Sequence, residues 1–304
     1  MELRHLRYFI AVAEEKNFTR AAERLCIAQP PLSRQMQQLE EELGISLFAR
    51  GSRPLKLTEA GNFFYAHAQQ ILSKTAELKS MTQRVGHIER TMSIGFVAST
   101  LYGMLPKIIR RFRHQYNLIE LNLHEMTTMQ QIQALKDGTI DVGFGRIRHQ
   151  DPNVRRIVLR EERLMVAVPA GHPLTQAGTP VSLKDLISEK LIIFPKAPRP
   201  SFADQVLEAF RDRGLIPEKV LEVRELQIAI GLVAAGEGIA IVPNSLYGLQ
   251  RSDVEYVELN EHNVVSPIIM SVRMLDQSED LKSMLALIYD LYDAENIAHV
   301  KEVL

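Results

Sequence analysis

The segment that most narrows what this chain can fold into runs from Gln29 to Gly44. Within it Leu32, Met36, Leu39 and Leu43 recur at intervals of four, three and four. That spacing lays one apolar stripe along a helix. Pro30 and Pro31 are tolerated in its first turn, and Gly44 ends it at Leu43. A shorter helix, Thr19 to about Leu25, precedes it, with Asn17 or Thr19 as its cap and a break at Cys26-Ile27. Before that, Leu3, Leu6, Ile10 and Ala13 mark an amphipathic helix from Leu3 to Glu15. Two short helices across a tight turn form a helix-turn-helix, whose second helix enters the major groove of DNA. With Leu32, Met36 and Leu39 turned to the core, Gln29, Pro30, Ser33, Arg34 and Gln37 stand on the outer side of the leading end. Such amide, hydroxyl and guanidinium groups hydrogen-bond base edges and phosphates. A three-helix bundle with a merely solvated polar face satisfies the same pattern.

Overall charge does not choose between these, because 36 Lys+Arg against 37 Asp+Glu leaves −1. Local charge is more informative. From Lys16 to Gln38 there are four basic residues against Glu23 alone, and Glu40, Glu41 and Glu42 follow. The segment Leu47–Lys56 then reads as a two-stranded hairpin bent at Gly51, its cations Arg50, Arg53 and Lys56 placed for phosphate or minor-groove contact.

Beyond Thr58 no proline occurs until Pro106, and Phe64, Ala68, Ile71, Thr75, Leu78, Thr82 and Val85 alternate in steps of four and three. This is a long helix with a heptad seam. Either a second copy of the chain covers that seam, through Phe64, Ile71 and Leu78, or the helix packs on its own domains. From Met92 onward the texture becomes α/β. Strand-like runs are Ser93–Val97, Glu120–His124, Ile140–Phe144, Leu164–Val168, Leu191–Phe194, Gly238–Val242 and Pro267–Val272, with helices such as 105–116, 129–136, 202–213, 226–235 and 281–292 between them. The alternation predicts parallel sheets, and the Pro/Gly-rich break Pro169–Pro180 predicts two lobes. The domains are expected at 1–57, 58–91 and 92–304, with lobe I at about 92–162 and 267–304 and lobe II at about 163–266.

Several classes are disfavoured. The single cysteine, Cys26, allows no internal disulfide and no cysteine-based zinc site, which favours a reducing compartment, the cytoplasm. The longest uncharged stretch, Leu164–Leu183, holds Pro169, Gly171, Pro173, Gly178 and Pro180, so it cannot be a membrane-spanning helix. The nine histidines never reach metal-like spacing, no Gly-x-Ser-x-Gly elbow occurs, and neither Gly143-Phe144-Gly145 nor Gly236-Glu237-Gly238 continues to a third glycine. No catalytic residue, metal site or cofactor is expected, and the chain does not read as an enzyme.

The run Phe18–Leu25, the segments Ala28–Met36 and Leu39–Gly44, then Leu47-Phe48-Ala49-Arg50 and Leu57–Gly61, closely resemble LysR-type transcriptional regulators, over essentially the whole chain. Ala28 departs from the serine or threonine that many members carry there, which weakens the helix cap. The resemblance implies a winged helix-turn-helix, a dimerising linker helix and a two-lobed α/β effector domain similar to periplasmic binding proteins. It also implies binding to an interrupted dyad in double-stranded DNA, assembly into dimers and tetramers, and contact with RNA polymerase. Met1–Phe9, Cys26–Pro31, Gly143–Arg146 and Gly231–Gly238 look like the subgroup that activates benzoate and catechol degradation, whose members respond to cis,cis-muconate or related aromatic acids.

In the effector half, Ser99 and Thr100 follow one strand and Thr127 and Thr128 another, so hydroxyls gather at strand-to-helix junctions where anions are favoured. Arg146 can supply a positive charge, and Phe202 after Ser201 can cover a flat conjugated acid. The alternative at each position is structural: helix caps at the hydroxyls, an ion pair at Arg146.

Overall fold

The computed structural model describes every residue except Arg50, Ser52, Arg53, 87–89, 177–179 and 249–250. The chain divides into two compact units, Met1–Ile88 with Lys136–Thr139, and Glu89–Leu135 with Ile140–Leu304.

In the first unit, helices α1 (Leu3–Glu15), α2 (Phe18–Arg24) and α3 (Gln29–Leu43) enclose a core of Phe9, Val12, Ala21, Leu32, Met36 and Leu39. Asn17 caps α2, its Oδ1 accepting from the N–H groups of Thr19 and Arg20 at 2.8 and 3.2 Å. Ala28 begins α3 with no side-chain cap, and Gly44 ends it at a left-handed φ of 68°. Glu40 then accepts from the N–H groups of Leu47 and Phe48, which fixes the entry to the hairpin. Its arms pair at Phe48 and Leu57, with Ala49 N–H donating to the Lys56 carbonyl. Arg50 and Arg53, expected at its tip, lie outside the described residues.

Helix α4 (Glu59–Gly86) is 28 residues long, about 42 Å at 1.5 Å per residue. Thr58 caps it, its hydroxyl accepting from Gly61 N–H and donating to the Ser46 carbonyl. Gly61 is required by contact, since a Cβ there would lie 2.1 Å from the Leu47 carbonyl oxygen. The expected intermolecular seam needs one correction. Phe64 is turned into its own unit, edge-on to Phe9 with ring centres 4.9 Å apart. The first turns of α4 pack on α1, so only apolar positions off that contact stay open: Phe63, Ile71 and Leu78 are 69%, 42% and 66% exposed.

The second unit is a mixed structure and not the parallel sheets expected. Strands β1 (Arg90–Phe96), β2 (Ile119–Glu125) and β3 (Val142–Gly145) are parallel, with helix α5 (Leu105–Gln115) between the first two and α6 (Thr128–Lys136) between the last two. After β3 the chain runs into β4 (Val154–Pro169), sixteen residues long. Only its end, Leu164–Val168, is legible as a strand, because Arg155, Arg156, Arg160, Glu161, Glu162 and Arg163 interrupt the apolar pattern. A short helix α7 (Pro173–Gln176), strand β5 (Lys190–Ile193), helix α8 (Phe202–Arg211), strand β6 (Lys219–Glu222), helix α9 (Leu226–Ala234) and strands β7 (Ala240–Pro243) and β8 (Val254–Glu258) follow. Strand β9 (Val265–Arg273) returns antiparallel to β4 and β3, and α10 (Glu279–Ala294) closes the fold. The long sheet has the order β2-β1-β3-β9-β4-β7, with β8 also on β4, and β5 and β6 form a separate parallel pair. Among the described residues of this unit two large apolar cores result, beside a smaller cluster of Ile132, Ala134, Leu135, Ile140 and Val154. One includes Ile94, Phe144, Leu159, Met270 and Ile288, the other Leu164, Val166, Ile192, Phe210 and Ile241. They separate between Leu159 and Leu164 on β4 and between Val264 and Ile268 on β9, so these paired strands are the connection between the lobes.

Candidate functional site

On α3, Gln29, Pro30, Arg34 and Gln37 are exposed and Ser33 is half-buried, with Gln29 Nε2 donating to Ser33 Oγ at 2.8 Å. The cations beside them are unequal. Arg20 pairs with Glu15 and Arg24 with Glu14, which offsets two of the four basic charges counted from the sequence. Among the described residues Lys16 and Arg34 are exposed and carry no ion pair, so the unneutralised charge lies with them. A duplex backbone attracts such charge, and the amides beside it can read base edges.

In the second unit a cavity of about 490 Å³ opens between the lobes. Ser99, Thr127, Thr128 and Arg146 line it from lobe I, and Phe194, Pro200, Ser201 and Phe202 from lobe II. The first turns of α6 and α8 both face it, and their free N–H groups and dipoles favour an anion. The polar groups are not equivalent. Thr127 caps α6, its N–H and hydroxyl both directed at Gln130 Oε1. The Ser201 hydroxyl donates to the Pro195 carbonyl, and its N–H to Asp204. Thr128 is 6% exposed and its hydroxyl has no hydrogen-bond partner among the described residues. It sits close because α6 packs flush on the sheet: a Cβ on Gly145 would lie 2.7 Å from Thr128 Oγ1, and one on Gly143 2.6 Å from Gln131 Oε1. Ser99 accepts from Arg146 Nε at 2.9 Å, which leaves its own hydroxyl proton to donate. Ser99 and Thr128 thus bring hydroxyls to the lobe I wall, the Thr128 oxygen itself buried, and Phe202, tilted against Phe194 with ring centres 5.3 Å apart, gives an apolar wall.

Two expectations need revision. Thr100 is absent from the cavity wall. The chain after β1 closes a 3-10 turn, Ala98–Tyr102, so Thr100 points inward and donates to the Val97 carbonyl at 2.7 Å. Arg146 lines the cavity, yet its charge is already met. It is 3% exposed and 2.6 Å from Glu162, itself 2% exposed, with Arg160 3.5 Å from the same carboxylate. Burial pushes the Glu162 carboxyl up, but the charges of Arg146 and Arg160 outweigh it and hold the group below the usual glutamate range. Burial likewise pulls the Arg146 guanidinium down despite Glu162. Both stay ionised at neutral pH, so the structural alternative at Arg146, an ion pair, is the one observed. The rim residues Arg224 and Gln227 and the partner Glu162 had no sequence signal, since what they meet is remote in the chain.

Comparison with known proteins settles the family. The model of the LysR substrate binding domain matches residues 86–291, and that of the bacterial regulatory helix-turn-helix of the lysR family matches residues 3–62. The chain is a LysR-type transcriptional regulator. It is similar to the HTH-type transcriptional regulator BenM of Acinetobacter baylyi, 51% identical over 296 residues that cover 97% of each protein. It is also similar to the probable cat1 operon transcriptional activator of Acinetobacter lwoffii, 48% identical over 96% of each. A solved structure of the BenM effector binding domain with its effector benzoate matches with a TM-score of 0.69 and 44% identity, covering 72% of this chain and 99% of that one. This LysR-type regulator thus has a DNA-binding unit and an effector-binding unit, and the family is not enzymatic. Among the described residues no helix is long and apolar enough to cross a membrane.

The buried pair carries a stability consequence with a definite sign. Because the folded state holds the Glu162 carboxyl below its unfolded value, the contribution is complete above about pH 4.3 and is lost as pH falls through the lower folded value. In this LysR-type regulator Glu162→Gln should remove that acid dependence and leave Arg146 buried without its counter-charge, destabilising the second unit by about 3–5 kcal/mol at pH 7. Urea unfolding at pH 7 and pH 4 checks this, and a variant as stable as the parent at pH 7 would contradict it.

Proposed function

We propose that this regulator activates genes for the degradation of aromatic compounds when a small carboxylate, benzoate or cis,cis-muconate, enters the cavity between the lobes. The observation that carries the reading is the Ser99 hydroxyl, left with a proton to donate, with Thr128 beside it in the lobe I wall and the first turn of α8 in the lobe II wall of the same cavity. A carboxylate accepts from both hydroxyls, its π-system lies against Phe202, and a second carboxylate, if present, meets the N–H groups opening α8. Similarity to BenM, whose effector is benzoate, and to a probable activator of the cat1 operon supports the same ligand class. Removing one hydroxyl in Ser99→Ala or Thr128→Ala should weaken binding by about 1.5–3 kcal/mol, roughly ten- to a hundredfold. Calorimetric titration with benzoate and cis,cis-muconate measures it, and wild-type affinity in both variants would refute the site.

On DNA the regulator is proposed to read an interrupted dyad, with Gln29, Ser33, Arg34 and Gln37 at base edges and phosphates, joined by Arg50 and Arg53 of the hairpin. Arg34 is the unpaired cation at the leading end of α3, so Arg34→Ala should lose site discrimination by about 1–3 kcal/mol while nonspecific binding persists. Footprints of unchanged specificity would count against it.

Self-association is assigned to the open face of α4. Phe63, Ile71 and Leu78 leave an apolar stripe that a second copy would cover, and the family's tetramers would build on that dimer. Leu78→Glu would bury an unpaired charge there and should shift sedimentation toward monomer. An unaltered oligomer would place the interface elsewhere.

A further inference from the structure

Gln205 has no place on the cavity wall, yet it ties together the two sides of the cavity and the strands that join the lobes. It lies on α8, one turn after Ser201 and Phe202. Its Nε2 donates to the carbonyl of Arg146 at 2.6 Å, and its Oε1 accepts from the hydroxyl of Ser266 at 2.9 Å. Ser266 is fully buried on β9, and its cross-strand neighbour on β4 is Glu162. Glu162 pairs with Arg146, and Arg146 Nε holds the Ser99 hydroxyl. These contacts form a closed circuit. It runs from Ser99 in lobe I through Arg146 and Glu162 to the joining strands, across Ser266 to Gln205, and back to the backbone of Arg146.

We infer that Gln205 is a positioning residue that couples occupancy of the cavity to the setting of the two lobes. The inference rests on the carboxylate reading above. An anion at the opening of α8 and at Ser99 bears on both ends of the circuit, and Gln205 is the α8 side chain that joins them. The primary amide suits the task because it donates and accepts at once, and the Ser266 hydroxyl fixes which end does which. A shift of α8 that breaks one of these bonds leaves a buried carbonyl or hydroxyl unmatched, so two discrete settings are favoured over a graded one. By linkage such coupling also enters the affinity, so the response is read at saturating acid, where the site is full whatever its affinity.

The test compares the full-length protein with Gln205→Met, which keeps the length of the side chain and removes both hydrogen-bonding functions. Benzoate and cis,cis-muconate are titrated by calorimetry, and activation is read by transcription from the regulated promoter with and without acid. The expected result is unchanged DNA binding without acid and activation reduced by at least about tenfold at saturating acid, with any loss of affinity no larger than that factor. Ser266→Ala, which removes only one bond of the circuit, should reduce activation in the same direction and serves if Gln205→Met fails to fold. The double variant should be no worse than Gln205→Met, because both act in one circuit. Wild-type activation in Gln205→Met and in Ser266→Ala would overturn the inference, as would a loss of affinity with full activation regained at saturating acid, which would make the residue part of the seat. A wild-type protein that binds neither acid would overturn the carboxylate reading together with this inference, whereas binding without any effect of the substitutions would overturn this inference alone.

Discussion

Arg146 and Glu162 lie side by side in a place where water scarcely reaches, and the effector unit is arranged around that fact. Taking two charges out of water costs several kcal/mol for each ion, and their attraction repays this only where geometry and further hydrogen bonds are good. Here Arg160, the N–H of Ser245 and the hydroxyl of Ser99 add contacts, while Arg146 Nη1 has no hydrogen-bond partner among the described residues. A pair so placed is weak support for net stability. Its value lies in direction. The guanidinium Nε donates to Ser99 Oγ, which fixes one lone pair of that hydroxyl and leaves its proton to donate elsewhere.

The same economy appears where α6 meets the sheet. Gly143 and Gly145 on β3 remove the Cβ atoms that would otherwise collide with Gln131 and Thr128. The helix settles flush, Gln131 donates to the carbonyls of Met126 and Phe144, and Thr128 reaches the cavity wall with its hydroxyl oxygen buried against the sheet. The two glycines that resembled a fragment of a nucleotide loop are therefore spacers for a side-chain donor. One donor is aimed by a buried charge and the other by close packing, and both converge on one side of the space that Phe202 closes on the other.

Periodicity made the helical parts legible. The four-three-four spacing on α3, the Asn17 cap and Gly44 place the DNA-binding helices, and the ends of α5, α6, α8, α9 and α10 fall within two residues of the expected ones. What was not legible depended on partners far away in the chain. Phe64 shares the heptad spacing of Ile71 and Leu78, and only the packing of α4 on α1 separates its role from theirs. β4 hid because its charged half faces partners that no local pattern predicts, and β6 because it is short and exposed. In the cavity, hydroxyls after strands pointed to the right junctions, but whether a hydroxyl caps a helix or stays free is decided by a neighbour. Gln130 occupies Thr127, Val97 occupies Thr100, and none of the described residues hydrogen-bonds the Thr128 hydroxyl.

The central claim is that the carboxylate of the effector is received by Ser99 and Thr128, with the opening of α8 across from them. A crystal structure of the protein grown with benzoate or cis,cis-muconate tests it most directly. The account requires a carboxylate oxygen within hydrogen-bond distance of both Ser99 Oγ and Thr128 Oγ1, with the Arg146–Glu162 pair intact behind Ser99. Density for the acid elsewhere in the molecule, with these two hydroxyls bridged by water alone, would contradict it.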